Sequence, residues 1–448
     1  MTSQDLIQER IAQLLRRSRA EATLVSLFNS KRSVTKFTTR RILQSLEEDD
    51  IDVYVKVALN GHIGVAVTNS LESSQLALAL KHAMEIARVS RKTSTSNFIS
   101  RPQPIPACAS HFQSTLRFGP TDRLALIETL TAEARRRKVD LTGTLVVGEE
   151  EMAVANSAGL FEYRPFTTAG IKLVATKEKG SGFVSGLSRD IHRIDAPELL
   201  DQAIRTCLLN QKHEEIRLGR YDCLLEPEAV AEILDWLGYL GFGAKPLHER
   251  TSFLSGRIGE KICGSNITIV DDGLSEENLC LPFDFEGTPR QRVTLIENGV
   301  ARGVVYDHHY GHLYHTRSTG HALAPDESEG PFPMHLTLAA GHQSLESMRR
   351  SLSRGILVTR FHYVNGFLNP QEALMTGLTR DGTFWVEKGK IKKALKNLRF
   401  TESILSALRR VEMISRERKL IGDPSQEMGA ALVPAILIRN FAFTGRSS

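Results

Sequence analysis

The stretch "VVYDHHYGHLYHTRSTGHA", residues 304–322, places His308, His309, His312, His315 and His321 close together, five of the fourteen histidines in the chain. Neutral imidazole is a common zinc ligand, so the cluster raises the possibility of metal chemistry. A helix over 307–316 would set His308, His312 and His315 at i, i+4 and i+7 on one stripe, with His309 pointing elsewhere. Three side chains on one straight helix converge poorly on a single ion, and a second element usually completes such a site. The nearby carboxylates that could serve as a base are Asp307, Asp326 and Glu327. The plainer alternative is a half-exposed helix whose imidazoles pack on tyrosines or meet water.

Other catalytic signatures are missing. A peptidase zinc site of the HExxH kind needs two histidines one turn apart and a glutamate to activate water. His213-Glu214 is followed by Arg217 and Leu218, and His248-Glu249 by Ser252 and Phe253, so neither pair completes the motif. There is no GxSxG elbow, no glycine-rich phosphate loop and no CxxC pair. The five cysteines, Cys108, Cys207, Cys223, Cys263 and Cys280, are odd in number and scattered. They are expected to be reduced thiols in a cytoplasmic protein, each a small buried apolar residue. The charged N-terminus lacks the apolar region of a signal peptide, and no run reaches membrane-span length, so no membrane partner is expected. The net charge is +5 over 448 residues. The basic runs at 134–138 and 388–419 are interleaved with or flanked by acids such as Glu387, Glu402 and Glu412, as on solvated helix faces, and nucleic acid is not an expected partner.

The elements that must position any site follow from periodicity. Leu6, Ile7, Ile11, Leu14 and Leu15 mark an opening helix. "ATLVSLF" and "VTKFTT" read as two strands, and "IDVYVKVALNGHIGVAVTN" as a hairpin turning at Asn60-Gly61. Ser70 is expected to cap a helix reaching residue 89. Residues 91–118, rich in Ser, Thr and Pro, read as a linker. Helices follow at 121–137 and 196–209, with strands between them. Beyond Gly219, "YDCLLEP" is a strand, and Pro227 opens a helix running to Leu240. Asn298-Gly299, Asp381-Gly382 and Lys388-Gly389 are expected turns, 401–415 a helix, and "PAILIRNFAF" a final strand. Hairpins in series with helices apart from them predict an α+β fold. Mixed and antiparallel sheets would carry helices to one side, in two main domains at 1–218 and 219–448.

From "LLEPEAVAEILDWLGYLGFGAK" onward the chain resembles the TldD/PmbA family. The resemblance runs through "RTSFLSGRIGEKI", "ITIVDDG", "PFDFEGTPRQRVTLIENGVARGVVYD", "RSTGHA", "LSRGILVTRFHYVNGF", "GTFWVEKGKI" and "PAILIRNFAFTG". It is looser in the first half, through "ILQSLEEDDIDVYVKVALNGHIGVAVTN" and "VANSAGLFEYRP". One branch of that family carries HExxxH on the helix after the "LEP" strand end, with a later cysteine completing a zinc site, and cleaves peptides. Aligned from Glu226-Pro227, the first ligand slot here holds Asp235, the base slot Trp236 and the second ligand slot Leu240. The late-cysteine slot, within 422–434, holds no cysteine. The chain therefore resembles the PmbA (TldE) branch, which lacks the metal site.

That resemblance implies a non-catalytic subunit in a zinc metallopeptidase complex. It would pair with a TldD-like subunit, or with itself as a homodimer, around a cavity that takes unfolded peptide. No cofactor of its own is implied; zinc would sit on the partner. Roles implied by the family include maturation of peptide antibiotics, antitoxin degradation and gyrase modulation. The alternatives are a self-contained metal-dependent hydrolase using His308, His312 and His315, and a non-proteolytic regulatory protein of a gyrase or toxin–antitoxin system. HExxxH histidines lie about 140° apart on a regular helix, so the family's helix is expected to widen as a π turn does or bend near its glycines. With Gly238 and Gly241 in that region, Asp235→His, Trp236→Glu and Leu240→His plus a cysteine near Met428 are expected to restore some zinc binding and weak peptidase activity.

Overall fold

A computed structural model describes residues 3–93, 97–424 and 429–446. The chain opens with helix α1 (Gln4–Arg17), which buries Ile7, Ile11 and Leu14 and is capped by the Ser3 side chain accepting from the Leu6 amide. Strands β1 (Ala22–Thr38), β2 (Ile42–Leu59) and β3 (His62–Thr68) follow, then helix α2 (Ser73–Val89). After the short helix α3 (Gln113–Leu116) come α4 (Pro120–Arg136), β4 (Asp140–Asn156), β5 (Phe161–Lys177), β6 (Gly180–Ser188) and α5 (Ala196–Leu209). The six strands form one antiparallel sheet in the order β3-β2-β1-β4-β5-β6.

Alternation of side chains gives this sheet two different faces. Val25, Leu27, Val53, Val55, Ala153 and Ala155 meet α1 and α2, while Leu141, Leu145, Ile171 and Leu173 meet α4 and α5. The opposite face, with Leu24, Met152, Val154 and Phe166, packs on Phe98 and on Leu281, Phe283 and Phe285 from the second half of the chain. "ATLVSLF" and "VTKFTT" are therefore one strand, not two. The polar run between them finds partners within the sheet: Asn29 donates to Glu151 at 2.6 Å, Arg32 to Glu150 at 2.8 Å and Ser33 to Glu47 at 2.6 Å, while Asn29 Oδ1 is buried without a partner.

The second half builds a mixed twelve-stranded sheet. Its elements in chain order are β7 (His213–Glu214), β8 (Gly219–Leu225), α6 (Pro227–Gly241), α7 (Ala244–His248), β9 (Ile269–Asp271), β10 (Val293–Glu297), β11 (Val300–Ala301) and α8 (His308–Leu313). They continue as β12 (Leu336–Leu338), α9 (Leu345–Ser351), β13 (Arg354–Asn369), β14 (Leu374–Glu387), β15 (Lys390–Leu395), β16 (Leu398–Ser403), α10 (Ile404–Leu408), β17 (Val411–Ile421) and β18 (Ala431–Arg446). The main path is β11-β10-β9-β12-β18-β8-β13-β14-β15-β7, with β16 joining β14 to β18 and β17 pairing with β18. The fold is α+β, with antiparallel and mixed sheets, as the hairpin pattern predicted. Asn60-Gly61 and Asn298-Gly299 both take positive φ in two-residue turns.

Several local expectations fail for identifiable reasons. Ser70 accepts from the Glu72 amide, but the helix begins only at Ser73, with Glu72 as an N-cap lacking a side-chain bond. The segment 91–118 is not a free linker: Phe98, Ser100, Ser110 and Thr115 are buried, and Asn156 donates to the Ser100 carbonyl at 2.7 Å. Cys108 on that segment is disulfide-bonded to Cys280, so the expectation of five reduced thiols is wrong; Cys207, Cys223 and Cys263 are free and buried. Asp381-Gly382, both at positive φ, lie inside β14 where its register with β13 shifts, so they form a bulge and not a hairpin turn. The expected helix at 401–415 is β16, the five-residue α10 and the start of β17. Its apolar spacing suits a helix, but pairing of Val411, Met413 and Ile414 with Ile438, Leu437 and Ile436 of β18 decides the local structure.

Candidate functional site

Helix α6 starts where the sequence dictates, with Pro227 at its first turn and Glu226 as N-cap. Ala229, Val230, Ile233, Leu234, Leu237 and Leu240 are buried in the largest core of the second half. That leaves Glu228, Glu232, Asp235, Trp236 and Tyr239 on the opposite stripe, and all five line one cavity of about 550 Å³. The far wall comes from the first sheet, through Lys172 of β5 and Phe183 and Ser185 of β6. Phe332, Pro333 and Met334, Arg360 and Phe367 of β13, and residues flanking β17 and β18 complete it. The site therefore lies between the two sheets.

The aromatic part is built edge to face. Trp236 meets Phe367 with ring centroids 5.2 Å apart, and Tyr239 touches Phe367 at 5.7 Å and Phe332 at 6.2 Å. Gly366 makes the Trp236 contact possible: a Cβ there would stand 2.6 Å from the indole and 2.8 Å from Leu240. Tyr239 and Phe367 remain 43% and 56% exposed, with Leu368 at 51%, so an apolar patch continues out of the cavity.

The charged part is mostly paired. Lys172 reaches Asp423 at 2.5 Å, Lys419 reaches Glu228 at 2.5 Å, and Arg360 donates to Asp381 at 2.7 Å while lying 4.2 Å from the Phe183 ring centre. Burial raises the Glu232 carboxyl above its ordinary value, opposed by Arg360. Burial and the neighbouring Glu228 push Glu226 up to about 7, opposed by Lys419 and Arg349. Ser185 Oγ is buried without a hydrogen-bond partner, so no base stands ready to activate it as a nucleophile.

The three positions that the sequence resemblance sets against HExxxH are separated by this geometry. Asp235 is exposed on the cavity rim, Trp236 is held among aromatic rings, and Leu240, 4% exposed, points into the core. These residues do not fit zinc: an apolar side chain in the core and an indole offer no donor, and the described lining contains neither imidazole nor thiolate. The expected widening of the helix is also not found. Helix α6 is α-helical throughout, and its glycines serve packing, since a Cβ at Gly238 would meet Leu336 at 2.8 Å and one at Gly241 would meet Phe253 at 2.3 Å. Met428, chosen for the late cysteine, lies outside the described residues.

The histidine cluster does not form the predicted stripe. Helix α8 spans only His308–Leu313, and His315 follows it in the left-handed region at φ 51°. His308 Nε2 is bonded within the fold, 2.8 Å from Ser100 Oγ and 3.1 Å from Thr288 Oγ1. His312 and His315 are exposed, and His309 packs edge-on against Tyr310 at 4.9 Å. His321 is fully buried against Asp271 at 2.8 Å. Among the described residues, no group of three His, Cys, Asp or Glu side chains could hold a metal ion.

Sequence reasoning singled out Asp235 and Trp236 but missed Glu228, Glu232 and Tyr239. Their spacing on the polar stripe of α6 was a usable signal. Nothing local could have announced Lys172 with Asp423, which are 251 positions apart.

Comparison with known proteins agrees with this architecture. A family model described as the PmbA/TldA metallopeptidase C-terminal domain matches residues 218–445. A metalloprotease TldD homolog from Buchnera aphidicola of Acyrthosiphon pisum is 23% identical over 381 residues, covering 78% of this chain and 76% of that one. Its counterpart from Buchnera aphidicola of Schizaphis graminum is 25% identical over 331 residues, covering 67% of this chain and 65% of that one. The crystal structure of TldE from Thermococcus kodakarensis has the same fold, with a TM-score of 0.88 over 98% of this chain and 100% of that one at 20% identity. The chain belongs to the PmbA/TldD family of metallopeptidase-related proteins.

Proposed function

We propose that this chain is a non-catalytic subunit of a TldD-type zinc metallopeptidase complex. It supplies cavity wall and peptide-binding surface to a partner subunit that carries the metal. The observation that carries this reading is the state of α6. The helix that holds HExxxH in the peptidase branch still faces a large cavity here, but presents Asp235, Trp236 and core-buried Leu240 in the three motif slots.

The chemistry divides accordingly. The partner polarises the water, and this chain helps hold an extended peptide where that water can reach it. Exposed Tyr239, Phe367 and Leu368 support an assembly role, because an aromatic patch running out of a cavity is the composition of an interface centre. We place the division between the two domains near Gly219 and the complex in the cytoplasm. Separately, among the described residues no helix is long and apolar enough to cross a membrane. Light scattering on a mixture with a TldD-type subunit from the same cell tests the assembly. A one-to-one heterodimer is expected, and two species that elute independently at micromolar concentration would refute it.

A further inference from the structure

A second cavity of about 510 Å³ lies beside the first, across a partition of Tyr239, Phe332 and Met334 that lines both. Its floor is apolar, with Phe28, Tyr54 and Phe285, the last two edge-on at 6.2 Å. Its rim is acidic. Glu48, Asp50 and Asp52 occupy alternate positions of β2 and so project from one face, and Glu327 and Glu329 face them from the 323–332 segment. The one cation in the described lining is Arg32, which reaches Glu150 at 2.8 Å and lies opposite Glu48 in the β1–β2 register. Farther along the groove the carboxylates oppose one another: burial, Asp326 and Asp50 raise Asp52, and burial, Glu329 and Asp326 raise Glu327.

The same strand has an open edge. Ile42–Asp52 pairs with β1 on one side, whereas β3 begins to pair only at Val53, opposite Thr68. Residues 42–50 are exposed apart from half-buried Glu48, including Ile42, Leu43 and Leu46 at 41%, 53% and 40%. Outward N–H and C=O groups along such an edge are a template for another strand. A second copy of this edge would bring Glu48, Asp50 and Asp52 against the same acidic rim, with no cation between Ile42 and Asp52. Like charges exclude that occupant.

We propose that the β2 edge and its acidic groove bind an extended polypeptide carrying lysine or arginine at alternate positions. The backbone pairs with residues 42–52. Basic side chains lay their methylene stems on Phe28, Tyr54 and Phe285 and set their charges among Glu48, Asp50 and Asp52. That the occupant is a substrate peptide rests on the function proposed above; the preference for basic residues rests on this groove alone.

Fluorescence anisotropy on the full chain without any partner tests the proposal. The probes are an alternating lysine–threonine peptide of about twelve residues, its glutamate–threonine counterpart, and a lysine version N-methylated at every second residue. The lysine peptide is expected to bind at least about tenfold more tightly than either other probe. The triple variant Glu48→Gln, Asp50→Asn, Asp52→Asn should lose about tenfold for the lysine peptide, with its melting temperature confirming the fold. Nonspecific attraction would act the other way, because the chain carries a net charge of +5. Equal binding of the lysine and glutamate peptides, unchanged binding by the triple variant, or full binding of the N-methylated peptide would each overturn the proposal. If the lysine peptide fails while the chain still supports cleavage by its partner, this groove is wrong and the subunit reading stands.

Discussion

Trp236 stands edge-on to Phe367, with ring planes at 90° and centroids 5.2 Å apart, on the cavity face of α6. The contact ties α6 to β13, and the indole also reaches Tyr239 at 6.1 Å. Truncation by Trp236→Ala removes a half-buried ring and should cost about 2–3 kcal/mol in chemical denaturation. Exposed Asp235→Ala should change stability by less than about 0.5 kcal/mol. Equal effects of the two substitutions would mean that the aromatic cluster contributes nothing to the fold.

Restoring the motif letters should not restore the metal. On a regular α-helix, histidines at 235 and 240 point about 140° apart, one to the cavity rim and the other into the core. The triple variant Asp235→His, Trp236→Glu, Leu240→His is expected to bind no zinc at micromolar metal in equilibrium dialysis. It should also lose several kcal/mol of stability, since Leu240→His puts a polar ring into an apolar core. Stoichiometric zinc on the folded variant would show that α6 can deform enough to bring the two histidines together.

His335 makes stability sensitive to acid. It is fully buried, neither ring nitrogen has a hydrogen-bond partner, and burial, with Arg290 nearby, lowers its pKa from 6.5 to about 3. Between those values the unfolded chain binds a proton that the folded chain does not. Folding stability is therefore fully present above about pH 6.5 and falls as pH drops towards 3, by up to about 1.4 kcal/mol per pH unit. Denaturation midpoints of wild type and His335→Leu, compared from pH 7 to pH 4.5, should show the wild type losing stability faster than the variant as pH falls. The variant should lack this part of the acid slope, and identical slopes would contradict the assignment.

How much of this was legible depends on range. Helix α6 announces itself through Pro227 and its apolar spacing, and two hairpins through Asn60-Gly61 and Asn298-Gly299, because those signals are local. The 401–415 segment misled because Ile404, Leu405, Leu408, Val411 and Ile414 fit a helical period, while pairing with β18 lies outside any local window. The histidine stripe failed because α8 stops at Leu313. The cavity was invisible as a whole: its walls come from β5, β6, α6 and β13, which only tertiary packing brings together.

The Cys108–Cys280 bond closes a loop across 172 positions and ties the 97–112 segment to the second half of the chain. Opening it with reductant, or by Cys108→Ser, should cost about 2–4 kcal/mol of stability. Alkylation of the denatured protein should label three thiols without reductant and five with it, matching the three free cysteines. Five labelled thiols before reduction would show the bond to be absent.

The most direct test of the subunit reading is cleavage of an unstructured peptide by this chain alone, by a TldD-type partner alone, and by their mixture, each with and without a metal chelator. The account predicts no cleavage and no bound zinc for this chain alone, and chelator-sensitive cleavage by the mixture that exceeds the partner's own. Chelator-sensitive cleavage by this chain alone, with bound zinc and no trace of partner, would contradict it.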